Sequence, residues 1–111
     1  LAVVVRGDRR RVLKLGDLYD RALLFESDQQ YEAAIAAYAE LLDRAPYFRD
    51  AIARKETLES YISAAAEYYE QALAEPAPEE QSKYLRRIAV FWPDYRDVAE
   101  RLAALETLAP R

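Results

Sequence analysis

A seven-residue turn signature that occurs twice constrains this chain more than any other feature. Ala45-Pro46-Tyr47-Phe48-Arg49-Asp50-Ala51 matches Trp92-Pro93-Asp94-Tyr95-Arg96-Asp97-Val98, 47 residues further on. The match continues through Arg54/Arg101, Leu58/Leu105 and Glu59/Glu106. Each proline stops a helix, because it lacks the amide hydrogen and clashes with the preceding turn. Each aspartate four residues later can accept the free N–H groups of the next helix. The same turn chemistry followed by the same helix start predicts a duplicated helix–turn–helix unit.

The intervals between the turns carry helical periodicity. Leu15, Leu18, Ala22 and Phe25 recur at i, i+3, i+7 and i+10, and Gly16-Asp17 supplies a start with Asp17 as N-cap. Ser27-Asp28-Gln29-Gln30 breaks that run, and a second stripe follows at Tyr31, Ala34, Ile35, Tyr38, Leu41, Leu42 and Ala45. The spacing predicts helices over about 17–28 and 31–45. No Pro or Gly occurs from Phe48 to Ala74, so one long third helix is expected, about 36 Å at 1.5 Å per residue. Its main stripe is predicted along Ile52, Lys55, Glu59, Ile62, Ala66, Tyr69 and Leu73, widened by Leu58 and Ala65. A fourth helix starts at Pro78 with Glu79 and Glu80 near its positive end. Pro93 ends it, and Asp94 is placed to cap a fifth. The fold class expected is all-α.

Composition narrows the chemistry. The 111 residues contain no His and no Cys, and only 2 Gly. Zinc sites of the usual kind, Ser–His–Asp or Cys–His catalysis and disulfides are therefore excluded, as are glycine-rich phosphate loops. Most Asp and Glu fall where helix surfaces and caps use them. Neither an enzyme nor a cofactor is expected.

The formal charge of −4 is unevenly spread. Residues 1–14 carry Arg6, Arg9, Arg10, Arg11 and Lys14 against Asp8 and sum to +4, leaving −8 on 15–111. That acidic body repels phosphate, so no nucleic-acid partner is expected. Three readings of 1–14 stay open: a short N-terminal β-hairpin around Arg6-Gly7-Asp8-Arg9, the cytoplasmic exit of a membrane tether in a larger parent protein, or plain helix. The basic patch itself suits an anionic surface or a solvated linker.

Leu18, Ala22, Phe25, Tyr31, Ala34, Tyr38, Leu41 and Pro46 stand at the packing positions of the tetratricopeptide repeat, and over 15–48 the chain resembles that family. The second unit departs from the pattern, with Gln81 and Tyr69 at small-residue places. The resemblance implies a short α-solenoid of antiparallel helix pairs, about five helices over 15–108, with 109–111 as a tail. It further implies a protein or peptide partner, for a module in the cytoplasm or on the cytoplasmic side of a membrane. So short an array invites a homodimer.

Two sets of partner-binding candidates follow. Tyr19, Leu23 and Glu26 lie off the Leu18/Ala22/Phe25 stripe, where the family lines its inner groove. Arg54, Tyr61 and Tyr68 repeat every seven residues on the third helix, and Tyr and Arg are typical interface anchors. The alternatives are ordinary solvated surface for the first set and core packing for the second. A spacer or oligomerisation domain beside a membrane is the competing function.

Overall fold

The computed structural model describes the backbone of residues 2–108 and the side chains of 15–108. Residues 2–14 belong to the first helix, so the plain-helix reading holds there and the β-hairpin does not; the side chains of the patch Arg6, Arg9, Arg10, Arg11 and Lys14 fall outside those described. Five helices follow in order: α1 Ala2–Ser27, α2 Tyr31–Arg44, α3 Ala51–Ala74, α4 Pro78–Phe91 and α5 Val98–Leu108. No strand occurs among the described residues, and the fold is all-α. None of the described helices is long and apolar enough to cross a membrane.

Two compact units divide the chain, 1–59 and 60–111, with α3 contributing to both. In the first, α2 packs on α1. Leu18, Tyr19, Ala22, Ala34, Tyr38 and Leu41 are buried there, all at most 7% exposed. Ala22 and Ala34 are fully buried, which lets the two helices approach closely. In the second unit α4 packs on α5, around Leu85, Ile88, Trp92, Tyr95 and Val98.

Several boundaries differ from expectation. Gly16 and Asp17 lie inside α1, so Asp17 is no N-cap. A mid-helix glycine costs only about 1 kcal/mol against alanine, and a helix carries it when its packed face is intact. Likewise Asp94 caps nothing: α5 begins at Val98, directly after Asp97. The buried stripe of α3 is Ala51, Leu58, Ala65, Tyr69 and Ala72, whereas Ile52 and Leu73 stand exposed. Leu58, Ala65 and Tyr69 are buried as expected, and the small Ala51 and Ala72 are buried beside the exposed Ile52 and Leu73.

The turns are built alike. Ala45 N–H bonds Leu41 and Trp92 N–H bonds Ile88, each closing a helix just before its proline. Phe48 N–H then bonds Ala45 and Tyr95 N–H bonds Trp92; Ala51 N–H bonds Phe48 and Val98 N–H bonds Tyr95. Arg49 and Arg96 occupy the same left-handed position, with φ of 45° and 43°.

Candidate functional site: two tyrosine–aspartate–arginine clasps

Asp50 stands one residue before α3, and its carboxylate is taken up on both sides. The Tyr19 hydroxyl donates to Oδ1, and Arg54 Nε donates to Oδ2 at 2.9 Å. The other arm of Arg54 reaches Glu26 Oε2 at 2.9 Å, and the Tyr38 hydroxyl donates to Glu26 Oε1 at 2.9 Å. Tyr19 and Tyr38 meet edge-on with ring centres 6.2 Å apart. The result is a five-residue chain that ties α1, α2 and the start of α3 together. Arg49 lies over it, its guanidinium carbon 4.8 Å from the Tyr19 ring and 4.9 Å from Phe48.

The second unit repeats the device. Tyr69 donates to Asp97 Oδ1 at 2.6 Å, and Arg101 Nε donates to Asp97 Oδ2 at 2.9 Å. Arg96 covers the rings of Tyr69 at 4.9 Å and Tyr95 at 5.1 Å. The Glu26 and Tyr38 partners have no counterpart, because Leu73 and Leu85 stand at the corresponding places. Arg101 Nε is shared between Asp97 and the Tyr69 hydroxyl, the latter at 3.2 Å.

These contacts shift the titrating groups in a consistent direction. The hydrogen bond from Tyr19, helped by Arg54, holds Asp50 below the usual carboxylate range, against a smaller opposing effect of burial. Tyr69, then Arg101, does the same for Asp97. Tyr19 is pushed up by its bond to Asp50 and by burial; Tyr38 is pushed up by burial and by Glu26. Both phenols thus remain protonated donors at neutral pH, which suits fastening.

Three of the sequence candidates, Tyr19, Glu26 and Arg54, come together in the first clasp. Tyr19 is only 7% exposed, its ring packed against Tyr38 and, at 5.7 Å, against Phe48. Leu23 is half-buried, outside the clasp. Tyr61 and Tyr68 belong to the second unit and are half-buried. Tyr61 stacks on Phe91 at 5.4 Å, and Arg87 lies 5.6 Å over Tyr68. Arg54, the other member of that seven-residue row, is bound into the first clasp.

Sequence reasoning missed the aspartates as clasp centres and assigned them to capping alone. The duplicated Asp, with Arg four residues later in both copies, was the signal that could have revealed them. It also missed a shallow pocket of about 120 Å³ in the second unit, bordered by Ala72, Leu73, Leu85, Arg101, Ala104 and Leu105. Among the described residues no group of three His, Cys, Asp or Glu side chains converges as metal ligands. The chain matches no protein-family model, no curated protein and no solved structure.

Proposed function

We propose that this chain is a non-catalytic protein-interaction or scaffold module of tetratricopeptide-like type, a short α-solenoid acting within a larger protein. The observation that carries the reading is the clasp built twice. Its titratable side chains are committed to fastening helices, and helical repeats so fastened leave flanks of their helices free for a partner. The open pocket beside α5 supports it, since Ala72, Leu73, Leu85 and Leu105 offer an apolar seat for one side chain of a peptide.

A displayed library of random peptides selected against the folded domain tests this reading. Enriched peptides that no longer bind Ala104→Trp, a variant that fills the pocket at a half-open edge, support it, provided the thermal melt is retained. Selection that enriches nothing, with light scattering showing a tight dimer, overturns it in favour of an oligomerising spacer.

A further inference from the structure

On α4 the buried residues Ser82, Leu85 and Ile88 face inward, and Lys83, Arg86, Arg87 and Val90 occupy the opposite side within an arc of about 100° at 3.6 residues per turn. All four are exposed, Val90 at 85%. Bases after acids along a helix suit its dipole, so the charges alone carry nothing. The geometry of Arg87 does. Its guanidinium lies over two half-buried rings, 5.6 Å from the centre of Tyr68 on α3 and 5.4 Å from that of Tyr84 one turn earlier. Among the described residues neither Arg86 nor Arg87 has a carboxylate partner, although acids outnumber bases 20 to 16 in the chain. Lys83 differs, since Glu80 neutralises it at 3.0 Å.

We infer that the outer face of α4 binds a short acidic protein segment, with two carboxylates for Arg86 and Arg87 and an apolar residue for Val90. The inference rests on the interaction-module reading and adds a second surface, separate from the pocket beside α5. Contact with the faces of Tyr68 and Tyr84 restricts the Arg87 guanidinium in advance, so less side-chain freedom is lost when its N–H edge meets a carboxylate in two-pronged fashion. Tyr68, Tyr84 and Val90 add the apolar contact that distinguishes an anchor from a loose ion pair. A protein segment fits better than a nucleic acid. The paired arginines and Val90 span little more than one turn, about 6 Å at 1.5 Å per residue. A polyphosphate strand would run from there onto a body of net −8.

The test titrates a fluorescent 12-residue peptide of alternating Glu and Val into the whole chain and reads anisotropy. Binding should weaken with salt and fall at least about tenfold in Arg86→Ala and in Arg87→Ala, with the thermal melt unchanged. Arg87→Lys, which keeps charge but loses stacking and the fork, should recover only part of the affinity. The inference is overturned if an uncharged control peptide of the same length, with Gln in place of each Glu, binds as well, if Arg87→Ala binds like wild type, or if a single-stranded oligonucleotide of equal charge binds more tightly. It is also overturned if the anisotropy rise only follows self-association. The Ala104→Trp variant should bind the acidic peptide normally. Library peptides that need the pocket, beside an acidic peptide that ignores Arg87, would leave the module reading standing and remove this one.

Discussion

Tyr69 reaches Asp97 across 28 residues of sequence, whereas Tyr19 reaches Asp50 across 31. The difference of three residues is about one helical turn. In the 47-residue alignment Tyr69 stands where the first unit has Ala22, while Ala65 and Ala72 stand where it has Leu18 and Phe25. The second copy has therefore exchanged large–small–large for small–large–small along the same face. It keeps the clasp by drawing the hydroxyl from the neighbouring turn.

That exchange predicts a compensation. Ala22 is fully buried, so Ala22→Tyr alone should destabilise by about 1–3 kcal/mol or more through overpacking. Adding Leu18→Ala and Phe25→Ala should recover part of the loss in urea unfolding. A triple variant less stable than the sum of its single changes would sink the account.

Acid should loosen both clasps. A carboxyl whose value is lowered on folding stabilises the fold above its unfolded value, near about 3.9 for Asp, and that stability is lost as pH falls through the folded value. The melting temperature should therefore drop below about pH 4. Tyr19→Phe and Tyr69→Phe each remove the largest cause of the lowering. Each should start lower at neutral pH and lose less on acidification. Melting curves that fall in parallel with wild type would refute the coupling.

Leu58 and Leu105 are aligned residues in different surroundings. Leu58 is 1% exposed, and Leu105 is half-buried on the edge of the pocket. Leu58→Ala should cost about 2–5 kcal/mol, a cavity cost that Leu105→Ala largely escapes. Equal losses in urea unfolding would contradict the burial difference.

Left-handed residues separate strain from stacking. Gln29 has φ of 61° and closes α1, its N–H bonding Glu26 while Gln30 N–H bonds Phe25. Glycine is favoured at such a closing position, so Gln29→Gly should stabilise by about 0.5–1 kcal/mol. Arg49→Gly should be near neutral, because it forfeits the guanidinium over Tyr19 and Phe48, about 0.5–1 kcal/mol at an exposed site. A thermal shift of equal size and sign in both variants would show that the stacking contributes nothing.

Much of the helical layout was legible in residue order. Pro46, Pro93 and Pro78 act through the backbone, whatever surrounds them, so α2, α4 and the start of α3 fell within a few residues of expectation. Of the first-unit packing positions, Leu18, Ala22, Tyr31, Ala34, Tyr38 and Leu41 are buried, Phe25 is half-buried and Pro46 is exposed. The site was much less legible. Arg54 and Tyr68 share a helix and a seven-residue row, yet one binds Glu26 and Asp50 and the other receives Arg87.

The sequence by itself determined the all-α class, the stops at the prolines and the doubling of the turn, because local sterics and helical period act between near neighbours. Only the tertiary structure decided that Asp50 and Asp97 hold tyrosines from helices 28 to 31 residues away, and that Tyr19 is core. It also decided which side of α3 is buried. Those outcomes depend on which surfaces meet and how closely, and an alanine face admits a neighbouring helix where a longer apolar stripe does not.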